Sequence, residues 1–187
     1  MKKVYMIHGW AGSSEDNWFP WLKENLEGKG VQVEVFDMPN TKRPKIEEWV
    51  KYLEENIGYV DEDTYFIGHS VGVQTIIRFL EKLHKHKKIG GCIFVAGWFN
   101  LMNLGKKEME IAHPWMTSPI DFSRVVDHCD NFLAIFSKDD PYVPLEDSKI
   151  FKDKLYSKIV IEENAGHFEE ETEPRVLEET LKFLKIK

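Results

Sequence analysis

Short, continuously apolar runs alternate in this chain with longer stretches whose apolar residues recur every three or four positions. Val4 to Ile7 and Gly91 to Ala96 are runs of the first kind, and Thr64 to Ile67 and Asn131 to Phe136 are apolar after their first residue. They read as strands of a parallel sheet covered on both faces. Val31 to Phe36 alternates in part, which predicts a strand nearer the sheet edge, and Ser157 to Ile161 is the sixth strand. Helical spacing appears over Asn17 to Glu27, with Trp18, Trp21, Leu22 and Leu26 on one face and Gly28-Lys29-Gly30 as the stop. Pro44 is placed to open a second helix through Ile57, with Ile46, Trp49, Val50 and Leu53 inward. A third follows Ser70, carries Val73, Ile76, Ile77, Leu80 and Leu83, and ends in the basic run His84 to Lys88. A short helix over Ser148 to Leu155 and a last one from Thr172–Pro174 to Leu184 complete the pattern. Strand and helix alternate without repeat or linker. This predicts a single α/β domain over residues 1–187, with a mostly parallel six-stranded sheet, helices on both faces and right-handed crossovers.

The pattern loosens from Gly97 to Phe122, where aromatic and methionine residues are scattered among Asn, Gly, Lys and Pro without an evident regular helix. A connection of that length is often a lid or binding loop, so 97–122 is a candidate small cap, with Trp98 and Trp115 as candidate pocket walls. The alternative is that these side chains pack over the sheet.

Composition changes little. The 187 residues can bury a sizeable core, and 42% hydrophobic with 30% charged is an ordinary globular balance. The net charge of −7 argues against a general nucleic-acid binder. Two cysteines, Cys92 and Cys129, make no disulfide framework, and Cys92 reads as a small buried hydrophobe. No apolar stretch reaches membrane-spanning length, and Met1-Lys2-Lys3 before a short apolar run is no signal peptide. A cytoplasmic location is the expectation.

The candidate chemistry sits at strand ends, where open α/β sheets place their active crevice. Gly68-His69-Ser70-Val71-Gly72 is a Gly-x-Ser-x-Gly turn between a β-prone run and an amphipathic helix, the context of a nucleophile elbow. The competing reading is a glycine-rich turn with a serine helix cap. His8-Gly9-Trp10-Ala11-Gly12 lacks the Gly-x-Gly-x-x-Gly and Gly-Lys-Ser/Thr signatures of nucleotide binding. Its N–H groups suit an oxyanion hole instead, formed by Trp10 and Val71. His8 has no second ligand at a metal-like spacing, so it reads as structural, with no metal or cofactor implied. Asp139 and Asp140 follow the fifth strand and His167 follows the sixth. A serine hydroxyl needs a base, and the base needs an orienting acid. Ser70, an aspartate of this pair and His167 run in the chain order of a nucleophile, acid and histidine on this kind of sheet.

Together His8-Gly9-Trp10, the elbow, Ser137-Lys138-Asp139-Asp140-Pro141 and Gly166-His167-Phe168 make the whole chain resemble the α/β-hydrolases. Within them it is similar to the small YdeN-like and retinoblastoma-binding-protein-type serine hydrolases. The resemblance implies a compact fold lacking the first two strands of larger relatives. It also implies that Asp140, directly before Pro141, is the acid, with Asp139 the runner-up. The implied activity is hydrolysis of small carboxylic esters, or of amides or thioesters, through an acyl-enzyme. The alternative from the same resemblance is a protein-interaction module with a silent site. The glutamates at 162, 163, 169, 170, 171 and 173 flank His167, which predicts neutral, apolar rather than anionic substrates if several face the crevice.

Overall fold

The computed structural model describes residues 1–186. Its six strands are β1 (Lys3–Ile7), β2 (Gln32–Phe36), β3 (Thr64–His69), β4 (Gly91–Val95), β5 (Phe132–Ser137) and β6 (Lys158–Glu162). They form one sheet in the order β2-β1-β3-β4-β5-β6, and every pairing is parallel. The expected sheet is present, with β2 at one edge, where its half-alternating sequence exposes Gln32 and Glu34.

Alternation within each central strand divides the core in two. Tyr5, Phe66, Cys92, Phe94, Ala134 and Phe136 face one layer, built from α2 (Ile46–Asn56), α3 (Val71–Lys82), α4 (Lys106–Thr117), α5 (Phe122–His128) and α6 (Asp147–Leu155). Val4, Met6, Ile67, Ile93, Val95 and Ile135 face the other, covered by α1 (Phe19–Glu27) and α7 (Pro174–Leu184). The continuous apolar runs are thus strands with both faces buried, where water is excluded from either side.

Three readings of the sequence are corrected. Residues 97–122 are not helix-free: α4 occupies Lys106–Thr117. Only Ala112 and Trp115 of α4 are buried, so the apolar stripe that reveals a helix is missing, and Pro114 lies inside it. Pro44 does not open α2, which starts at Ile46 behind an extended Lys45. The Pro44 carbonyl instead accepts a hydrogen bond from Trp115 Nε1 at 3.0 Å. Finally, α3 stops at Lys82, so the basic run 84–88 lies beyond the helix.

Parallel register carries the functional consequence. Ile7 lies beside Gly68, and His69 beside Val95. The carboxyl ends of β1, β3 and β4 are therefore level, and the turns that leave them meet over one edge of the sheet.

Candidate active site

Ser70 sits at φ 53° and ψ −121°, a conformation that a non-glycine residue adopts only when its surroundings hold it. The surroundings do so: β3 ends in the sheet, and α3 begins at the next residue. Ser70 caps α3 by position, yet its side chain makes no cap hydrogen bond. Its Oγ accepts from Trp98 Nε1 at 3.2 Å instead. That geometry disfavours the helix-cap reading.

His167 and Asp140 are joined directly. Asp140 Oδ2 accepts from His167 Nδ1 at 2.8 Å, and both side chains are almost wholly buried. Asp140 Oδ1 accepts from the N–H groups of Tyr142 and Val143, at 2.8 and 2.9 Å. The carboxylate is thereby fixed with one oxygen on the backbone and one on the imidazole. Asp139 points elsewhere. Its Oδ1 accepts from Ser137 Oγ at 2.5 Å and Gly166 N at 2.9 Å. The Ser137 hydroxyl, and then the Gly166 N–H, hold its carboxyl below the usual range. Asp139 thus ties down the loop that bears His167, while Asp140 meets the ring. Ser70 and His167 line the same cleft, although the hydrogen bond made by Ser70 Oγ is to Trp98 rather than to His167 Nε2.

Two further rings clamp the His167 loop. His69 Nε2 donates to the His167 carbonyl at 2.7 Å, and Trp18 Nε1 donates to the Phe168 carbonyl at 2.9 Å. His69 is buried, and its Nδ1 has no hydrogen-bond partner among the described residues. Burial, then the neighbouring His167, pushes its pKa down to about 3. The imidazole is therefore neutral when folded but takes up a proton below about pH 6.5 once unfolded. The unfolded chain binds more protons there, so this stability is full above pH 6.5 and falls by up to about 1.4 kcal/mol per unit below it. His69→Gln keeps a donor at the ε position without the titration. Urea unfolding at about pH 7.5 and about pH 5 should show a larger loss for wild type than for the variant. Parallel losses would exclude His69 as the source.

On the opposite side, His8 shapes the turn after β1. Met38 N–H donates to His8 Nε2 at 3.1 Å, so the ring proton resides on Nδ1, which donates to the Gly9 carbonyl at 2.7 Å. Burial lowers the His8 pKa and favours this neutral form. The Gly9 carbonyl also accepts from Gly12 N at 3.3 Å. With the peptide trans, Trp10 N–H must point away from those two donors. Gly9 is needed for the close approach, because a Cβ there would stand 2.9 Å from His69 Nδ1 and 3.3 Å from Ser70 Cβ. Val71 N–H opens α3, where a helix leaves its first donors free. Gly68 and Gly72, on either side of Ser70, admit the α3 backbone and the β1 end respectively.

The cleft over Ser70 has a volume of about 460 Å³. Phe19, Trp10, Trp98, Leu101, Leu104 and Tyr142 give it apolar walls. Of the two tryptophans expected there, Trp98 is present and Trp115 is not. Trp115 lies in the core against Trp49 and lines a separate depression with Pro44. Of the six glutamates flanking His167, Glu169 alone lines the cleft; Asp16 and Glu108 join it, and among the described residues no Lys or Arg does. The sequence reading missed Tyr142, Gln74 and Arg78. Polar Gln74 and Arg78 inside the buried part of α3 were the available signal.

A doubly wound parallel sheet with a strained serine at the turn after β3, and an Asp–His pair from the turns after β5 and β6, defines an α/β-hydrolase. Comparison with known proteins narrows the class. The family model described as "Serine hydrolase" matches residues 4–185. The chain is 34% identical over 170 residues to the putative hydrolase YdeN of Bacillus subtilis (strain 168), covering 91% of this chain and 87% of that one. It is 25% identical over 170 residues to the serine hydrolase RBBP9 of Rattus norvegicus, covering 89% and 87%. The crystal structure of the B. subtilis ydeN gene product matches with a TM-score of 0.89 at 30% identity, over 99% of this chain and 100% of that one. The chain belongs to the serine hydrolase family. Among the described residues, no helix is long and apolar enough to cross a membrane.

Proposed function

We propose that this protein hydrolyses small, neutral carboxylic esters through an acyl-enzyme on Ser70. The observation that carries the reading is the buried 2.8 Å Asp140–His167 pair, whose His167 lines the same cleft as the strained Ser70. His167 Nε2 takes the Ser70 proton as Oγ attacks the acyl carbon, then gives it to the departing alkoxide. Water repeats the attack with His167 again as base. Asp140 keeps Nδ1 protonated and steadies the imidazolium. The N–H groups of Trp10 and Val71 meet the oxyanion, without reorganisation when charge develops. The segment 97–122 supplies Trp98, Leu101 and Leu104 to the cleft and acts as its small cap. The apolar walls favour a neutral acyl group, and the carboxylates of Asp16, Glu108 and Glu169 repel an anionic one.

Labelling by a fluorophosphonate tests the chemistry. Covalent attachment is expected at Ser70 and is absent in Ser70→Ala. A folded wild-type protein that stays unmodified beside a labelled control hydrolase would overturn the proposal and leave a protein-interaction role on this fold. With p-nitrophenyl esters matched in length, neutral acyl groups should give the higher kcat/KM; faster turnover of anionic ones would remove the charge argument alone.

A further inference from the structure

Trp98 does more than face the cleft. The residue is 1% exposed, and its indole N–H ends 3.2 Å from Ser70 Oγ, within the range of an N–H···O hydrogen bond. The backbone around it is fixed on both sides. Gln74 Nε2 donates to the Trp98 carbonyl at 2.9 Å. The next two N–H groups, of Phe99 and Asn100, both donate to Oδ2 of the buried Asp147, at 2.5 and 2.8 Å. Before it, Ala96 turns at φ 47°, and Gly97 fits only without a side chain, since a Cβ would stand 2.7 Å from both Phe151 and Val73. Gln74 lies one helical turn beyond Ser70 on α3, so the helix that begins at the nucleophile also anchors the indole. Gln74 is fixed in turn by Arg78, whose Nε donates to its Oε1 at 3.3 Å.

Resting on the acyl-enzyme reading above, we propose that Trp98 is a catalytic residue, its indole N–H acting as a dedicated donor to Ser70 Oγ. An indole N–H can only donate. Ser70 Oγ must therefore spend a lone pair on Trp98, and its own proton is left for His167 Nε2. In acylation that proton moves to Nε2 while an Oγ lone pair forms the bond to the acyl carbon and the carbonyl π pair moves onto its oxygen. In deacylation the tetrahedral adduct collapses, the C–Oγ bond breaks, its electron pair returns to Oγ, and Oγ recovers the proton from His167. Oγ carries partial negative charge in both steps, and the Trp98 N–H, which stays on nitrogen throughout, steadies that charge. Trp10 and Val71 serve the carbonyl oxygen; Trp98 serves the serine oxygen.

The test is Trp98→Phe, with Trp98→β-(3-benzothienyl)alanine as a variant that keeps the bicyclic shape and replaces N–H by sulfur. Both are checked for thermal unfolding. The expected result in each is a kcat lower by about 10–100-fold with KM changed by less than about threefold. The rate of Ser70 modification by a small dialkyl fluorophosphate should fall in parallel. If Trp98→Phe fails to fold, the benzothienyl variant decides alone. Wild-type kcat and modification rate in a folded variant would reduce Trp98 to a pocket wall and overturn the proposal. A faster variant would also overturn it, by making the contact a resting latch on Ser70. Absence of labelling in wild type would strike the acyl-enzyme reading itself, an outcome separable from either.

Discussion

Asp140→Asn is expected to lower kcat by about 10³–10⁴-fold, with Asp139→Asn staying within about tenfold of wild type. The difference follows from what each carboxylate touches. Asp140 Oδ1 receives the N–H groups of Tyr142 and Val143. An asparagine must turn its oxygen toward those two donors, because its amide nitrogen cannot accept from them. The nitrogen then faces His167 Nδ1, which has to become the acceptor. The ring proton moves to Nε2, and the nitrogen that should take the Ser70 proton is already protonated. At Asp139 the oxygen contacted by Ser137 Oγ and Gly166 N–H can remain an oxygen in the amide. The loop keeps its ties, and only the charge is lost. Steady-state ester kinetics on the two folded variants decide the matter; the reverse ranking would sink the assignment of Asp140 while leaving the hydrolase class intact.

The sheet was legible because burial on both faces writes itself locally. Cys92 to Val95 has no polar residue in it, and each of those side chains is wholly or almost wholly buried. The turns that carry Ser70 and Asp140 were legible because each follows such a run, whereas His167 follows the edge strand β6, in which Val160 alone is buried. What brings them together is register, which no single segment encodes: Ile7 beside Gly68 and Phe136 beside Ile161 bring neighbouring strand ends level. The choice between Asp139 and Asp140 needed either the family resemblance or the direction of each side chain.

Helix α4 was illegible for a different reason. It is anchored by polar ties to residues about forty positions away rather than by an apolar stripe. Arg78 Nη2 donates to the Trp115 and Ser118 carbonyls at 3.2 and 2.9 Å, and Gln74 Nε2 reaches Trp115 O at 3.3 Å. A buried guanidinium can satisfy the open carbonyls at a helix end as a cap would. Nothing near Lys106–Thr117 in sequence announces that. The charge of the cleft had the same character. Glu169 is two residues from His167 in the chain, but Asp16 and Glu108 reach the cleft from the turn before α1 and from α4.

Gly72→Ala is expected to destabilise the protein by about 3 kcal/mol or more, a fall in Tm of at least about 6 °C for a chain of this size. Alanine is the better helix former by about 1 kcal/mol, so propensity alone predicts the opposite sign. Space decides against propensity. A Cβ at Gly72 would stand 2.3 Å from the Ile7 carbonyl oxygen, 2.7 Å from the His8 oxygen and 2.9 Å from the Ile7 carbonyl carbon. All three atoms are backbone. The end of β1 cannot retreat, because Ile7 is paired with Phe36 on one side and Gly68 on the other. The first turn of α3 would have to move instead, taking Ser70 and Val71 N–H away from Gly9 and Trp10. Activity should therefore fall by more than the loss of folded protein explains. Gly105→Ala is the matched control. There a Cβ would also meet an atom at 2.3 Å, but that atom is Oε2 of Glu108, the free end of an exposed side chain that can swing away. Thermal melts of the two variants, with kcat measured on the folded fraction, should separate them. A Gly72→Ala protein melting within about 2 °C of wild type would show that the elbow can yield where its packing says it cannot.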